Sequence, residues 1–113
     1  IFDFWHKAGV LSQKPELKIQ RYRAENFEIT KLVEPAMDVS ADCVGIDYTF
    51  YVENEKGDVS KFKELHKVRY LNPELLLKYL SELNFKVELI EGWMTNQKLK
   101  ENEWSGIIVA RPD

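Results

Sequence analysis

Hydrophobic and polar residues alternate most strictly between Cys43 and Asn54, where Val44, Ile46, Tyr48, Phe50 and Val52 fall on one side and Gly45, Asp47, Thr49, Tyr51 and Glu53 on the other. A period of two over that length predicts an antiparallel strand with one buried face. The tract NEKGD follows, with Gly57 free to take a positive φ, and reads as a hairpin turn into VSKFKELHKVRY, where Phe62, Glu64, His66, Val68 and Tyr70 stay in phase. Upstream, NFEITKLVE sets Phe27, Ile29 and Val33 on one face, with Lys31 as the exception, and Pro35 is expected to stop that strand or mark its edge. Apolar residues also recur from Leu17 to Tyr22. The opening IFDFW has the aromatic and β-branched content of a strand, and Gly9 and Pro15 bracket a predicted loop after it.

Past Tyr70 the period changes. Asn72 is a good N-cap and Pro73 suits the first helical position, so a helix starts there. Leu76, Leu80 and Leu83 form its apolar stripe, and Leu75, Leu77 and Tyr79 widen that stripe to most of the circumference, so this helix expects cover on more than one side. Asn84 can take the left-handed conformation that ends a helix. FKVELIEGW then reads as a strand, MTNQKLKENE as a polar loop, and WSGIIVARP as a buried strand ending at Pro112. There are no internal repeats and no low-complexity tract.

The 113 residues suffice for one domain with its own core. With 16 Lys plus Arg against 19 Asp plus Glu, the net charge of -3 gives no electrostatic reason to expect nucleic acid or an anionic membrane. The lysines at 61, 63 and 67 make a modest basic row without the interleaved exposed aromatics of a nucleic-acid surface. One cysteine, Cys43, cannot form an internal disulfide, and two distant histidines offer no zinc spacing, so no metal is expected and a reducing cytoplasm is the expected setting. No apolar run approaches the roughly 20 residues that span a bilayer. The opening, without methionine or polar lead-in, reads as the middle of a buried strand, and a longer parent chain is the expectation.

Glycine-rich phosphate or dinucleotide loops, paired cysteines and the usual hydrolase signatures are missing. His66 is the first candidate for chemistry, because a neutral imidazole of pKa about 6.5 accepts a proton near neutrality. It stands with Tyr70 on one strand face while Arg69 points to the other, so a pocket using all three needs a bulge or the strand's end. Trp5 and His6 close the first strand, where open α/β sheets place ligands beyond their carboxyl ends; Trp5 is equally suited to the core. Asp3 between Phe2 and Phe4 needs a partner or a cleft if it is buried. Trp93 and Trp104 flank the polar loop and suit loop anchors, and the acidic tract around Glu53 to Asp58 suits a solvated hairpin tip.

FDFW, ITKLVEPAMD, HKVRYLNPELLLKYLSELNFKVELIEGWM and WSGIIVARP together resemble the C-terminal, substrate-side half of a class I S-adenosylmethionine-dependent methyltransferase. The resemblance covers nearly the whole chain. It implies an α+β arrangement in which residues 1–16 give a strand and loop of the Rossmann-like methyltransferase sheet, residues 17–70 an inserted antiparallel lid lobe, and residues 71–113 a helix and the closing β-hairpin. It implies a small-molecule methyl acceptor that presents nitrogen or oxygen, with His66 as base or substrate hydrogen bond and Trp5, His6, Arg69 and Tyr70 shaping the pocket. The family's glycine-rich cofactor turn has no counterpart here. S-adenosylmethionine is therefore expected in the full-length parent and not on this chain, which would be inactive alone and would self-associate through an open sheet edge or helix. The alternative of another class is a stand-alone α+β small-molecule-binding or dimerisation module.

Overall fold

The computed structural model describes all of residues 1–113. It contains β1 (Phe2–His6), α1 (Lys7–Ser12), β2 (Lys18–Arg23), β3 (Phe27–Asp38), a 3₁₀ turn (Val39–Ala41), β4 (Cys43–Asn54), β5 (Val59–Leu71), α2 (Pro73–Glu82), β6 (Phe85–Gly92) and β7 (Ser105–Pro112). The seven strands hydrogen-bond in the order β2, β3, β4, β5, β1, β7, β6. This is a mixed sheet, because β1 runs parallel to the end of β5 and antiparallel to β7. The chain divides into two compact units, residues 15–68 and residues 1–14 with 69–113.

The unit of residues 15–68 is an antiparallel sheet. The β3–β4 pairing is its backbone, in unbroken register from Phe27 opposite Asn54 to Asp38 opposite Cys43. The alternation in β4 appears as predicted: Val44 and Ile46 are buried on one face, and Asp47 and Tyr51 are exposed on the other. Thr49 is the exception, buried on the polar side. Gly57 turns the β4–β5 hairpin at φ +81°, a conformation that costs a residue with a Cβ but not glycine. Pro35 does not end its strand, and β3 continues to Asp38. The reason lies in the neighbouring strand: β2 pairs with β3 only as far as Val33, so from Pro35 onward β3 has one edge open, where a missing N–H removes no ladder bond.

In the other unit, β1 lies between β7 and the end of β5, with Phe4, His6, Val10, Tyr70 and Ile108 buried. The predicted loop after β1 is instead the short helix α1, with Gly9 inside it. Glycine is an unfavourable helix residue, but here a Cβ would run into the backbone carbonyl of Glu103, so the position is set by close approach. The second helix begins as its sequence dictates: Asn72 caps it by accepting from the Glu74 N–H at 2.9 Å, and Pro73 is its first residue. Asn84 follows at φ 59°, the left-handed conformation that stops the helix. None of its residues is fully buried, and Leu77, Tyr79 and Leu83 are exposed. Its longest α-helix has ten residues, and no helix is long and apolar enough to cross a membrane.

Candidate functional site

The carboxyl ends of β1 and β5 lie side by side because the two strands run parallel there, with Trp5 opposite Tyr70 and His6 opposite Leu71. Strand alternation then sorts the residues by face. Phe4 and His6 turn inward on one side, and Trp5 lies on the other with its register partner Tyr70, which is fully buried. Arg69 alternates with Tyr70 along β5 and is exposed. Four of the residues singled out in sequence thus meet at one pair of strand ends, on two faces. Asp3 is exposed, so its charge needs no partner.

His6 is held from three directions. Its backbone N–H donates to the carbonyl of Trp104 at 2.7 Å, and its Nδ1 lies 2.9 Å from the carbonyl of Glu103. A carbonyl has no proton to give, so Nδ1 carries the hydrogen and a neutral ring has its lone pair on Nε2. Phe4 meets the ring edge-on at 6.4 Å between centroids. The β6–β7 loop that supplies these carbonyls is tied down in turn: the Trp104 indole donates to the Gln13 carbonyl at 2.7 Å and packs at 5.0 Å on Trp5. Trp104 is a loop anchor, as its position suggested, while Trp93 stays half exposed. The Glu103 carboxylate accepts from the Lys100 N–H at 2.9 Å and occupies the space that a side chain on Gly92 would need. Sequence reading missed Glu103 altogether, because a backbone carbonyl 97 positions away from the histidine it serves leaves no residue-type signal.

His66 belongs to the other unit. Its side chain is 54% exposed, with Nε2 3.0 Å from the Glu64 carboxylate and its ring edge-on to Tyr48 at 5.1 Å. The carboxylate can only accept from a neutral imidazole, so in that state Nε2 carries the hydrogen and Nδ1 the lone pair. Tyr48 stacks on Phe50, and the Lys31 ammonium sits 4.7 Å over the Tyr48 ring. Lys31, the break in the alternation of β3, therefore remains on the apolar face by laying its cation on aromatic rings.

Glycine-rich cofactor loops lead from a strand onto a helix N-terminus, and the glycines of this chain are placed otherwise. Gly9 is inside a helix against Glu103, Gly57 is in a hairpin, and Gly45, Gly92 and Gly106 are in strands. None stands in a strand-to-helix turn that opens onto a helix N-terminus, the geometry that glycine-rich cofactor loops use. No three His, Cys, Asp or Glu side chains gather as a metal site would require.

No family model matches the chain, and no curated protein matches it significantly. Solved structures do. An S-adenosylmethionine-dependent methyltransferase from Clostridium acetobutylicum superimposes with a TM-score of 0.71 at 19% identity, over 98% of this chain and 43% of that one. A sugar N-methyltransferase from Streptoalloteichus gives 0.62 at 13% identity, over 88% of this chain and 36% of that one. An amino pentose methyltransferase from Micromonospora echinaspora, solved with S-adenosylmethionine bound, gives 0.60 at 11% identity, over 82% of this chain and 36% of that one. The chain spans about two fifths of the length of these proteins, as a C-terminal half would, and at these identities it is the fold that is shared. The chain has the fold of a portion of an S-adenosylmethionine-dependent methyltransferase.

Proposed function

We propose that this chain is the substrate-side portion of an S-adenosylmethionine-dependent methyltransferase that acts on a small molecule, and that the cofactor is bound by residues outside these 113. The observation that carries this reading is the fold likeness over 82 to 98% of the chain to three methyltransferase structures that are each more than twice as long. Two of those neighbours act on sugars by name, which supports a polyhydroxylated, amine-bearing acceptor class. In such enzymes a substrate nitrogen or oxygen attacks the methyl group in line, and the protein contributes chiefly position and orientation.

Within this reading Trp5, His6, Arg69 and Tyr70 contact the acceptor at the paired strand ends. His66 stands in the other unit, where its ring is more than half exposed and engaged by Glu64. The chain alone is inactive and self-associates. Calorimetric titration of the purified chain with S-adenosylmethionine tests the division of labour. No measurable heat of binding is expected, and micromolar affinity would overturn it in favour of a self-sufficient module.

A further inference from the structure

We infer that the free edge of β2 is a docking site for an extended acidic peptide of another protein, which adds an eighth strand to the sheet. The whole surface lies within the unit of residues 15–68.

β2 pairs with β3 on one side and with no strand on the other. In an antiparallel ladder alternate residues turn their N–H and C=O towards the neighbour, and the residues between them turn theirs away. The Ala24 N–H donates to the Phe27 carbonyl at 2.9 Å, in the register of the β2–β3 ladder, which assigns Tyr22, Gln20 and Lys18 to the bonds with β3. Ile19, Arg21 and Arg23 therefore direct their backbone groups outward, at the spacing an incoming strand needs.

The side chains fix the kind of partner. KIQRYR gives the edge three cations in six residues and no acid. Glu28 takes up Arg23 at 2.8 Å, but the residues opposite Lys18 and Arg21 on β3 are Val33 and Thr30, so these two charges have no carboxylate across the ladder. Cations alone would suit an edge that only repels other strands. Here they are interleaved with large apolar side chains standing in solvent, Ile19 at 63% and Tyr22 at 51% exposure, which gain cover when a strand lies alongside. Opposite charges and apolar pairs directly across a ladder are the favourable ones. An antiparallel partner of sequence Glu-Val-Glu-Thr-Val-Glu thus meets Arg23, Tyr22, Arg21, Gln20, Ile19 and Lys18 in turn. Main-chain bonds to Ile19, Arg21 and Arg23 supply affinity, and the alternating side chains supply selectivity. A second copy of this chain brings the same cations and is the poorer mate.

Titration of the ¹⁵N-labelled chain with that hexapeptide at low ionic strength tests the assignment. The amide resonances of Ile19, Arg21 and Arg23 should shift to saturation and their hydrogen exchange should slow, while the amides of β6 and β7 stay unmoved. Added salt should weaken binding, because the charge pairs stand in solvent. The peptide N-methylated at the residues opposite Ile19 and Arg21 should not bind, and neither should Lys-Val-Lys-Thr-Val-Lys. Lys18→Glu combined with Arg21→Glu should weaken the acidic peptide about tenfold and admit the basic one. Unmoved β2 amides with the acidic peptide, or equal binding of the N-methylated or the basic peptide, overturns the proposal whether or not the double variant folds. The same shifts with decathymidylate would mark a surface for any anion, and a dimer of the chain alone at low salt would make a second copy the occupant. Either result also overturns it.

Discussion

Asp38 shows how a single exposed side chain ties local structure to pH. Its carboxylate accepts from the Ser40 hydroxyl at 2.7 Å and from the Ala41 N–H at 3.3 Å, closing the 3₁₀ turn between β3 and β4. The Ser40 hydroxyl is the larger cause, and with the Ala41 amide and the Lys67 charge it holds the Asp38 carboxyl below the ordinary aspartate value. A folded pKa lower than the unfolded one means that these hydrogen bonds stabilise the fold above the unfolded value, about 3.9, and that the contribution fades as pH falls through the depressed folded value. The expected outcome of an NMR titration is an Asp38 midpoint below that of a free aspartate, moving up towards it in Ser40→Ala. An unchanged midpoint in that variant would show that Ser40 is not the cause. The same scale contains the positions that sequence could not resolve. Lys31 broke its pattern for a reason supplied by β4, and Glu103 serves His6 through its backbone, which no side-chain pattern encodes.

At the scale of elements, what was legible depended on whether the signal was local. The second helix carries all its instructions in its own sequence: an Asn72 cap, Pro73 at the first position and Asn84 in the left-handed conformation after its end. Asn72→Ala removes the acceptor for the Glu74 N–H and should cost about 1 kcal/mol, read as a lower urea midpoint at unchanged slope. A variant as stable as the parent would mean that this helix end is held by packing. The long strand β4 was equally local, because strict alternation over a dozen residues admits one reading, whereas β5, with Glu64 and His66 in phase with Phe62, was placed by the hairpin turn at Gly57 before it. Two elements were decided elsewhere. Pro35 continues a strand only because β2 stops pairing at Val33, and Lys7–Ser12 is helical around a glycine whose room is defined by Glu103. Of the candidate site, the residue types at the strand ends were visible, but their sorting onto two faces depends on the parallel register of β1 against β5.

For the whole molecule, the outer strand of the antiparallel unit carries the most direct consequence. β2 has β3 on one side and no strand on the other, and all six of its residues are exposed. An open edge of this kind is a template for pairing with a second copy, and Leu17, Ile19 and Tyr22 add exposed apolar surface beside it. The sequence of that edge, KIQRYR, opposes the pairing, since two copies laid edge to edge bring the cations Lys18, Arg21 and Arg23 of one close to those of the other. Arg23 is partly neutralised by Glu28 at 2.8 Å, whereas Lys18 and Arg21 still repel the cations of the other copy. Salt decides the balance: the Debye length shortens from about 30 Å at 0.01 M to about 3 Å at 1 M, so repulsion between exposed cations fades while apolar contact does not. Light scattering should therefore give the 13.3 kDa monomer at low salt and low concentration, with mass rising towards twice that value as both increase. Reversing two of the charges, with Lys18→Glu and Arg21→Glu in a mixture with the parent chain, should favour mixed dimers even at low salt, because the edges then attract. A constant monomer mass under all these conditions would eliminate pairing through β2. Association that weakens with salt would instead place the contact on surfaces of opposite charge elsewhere in the chain.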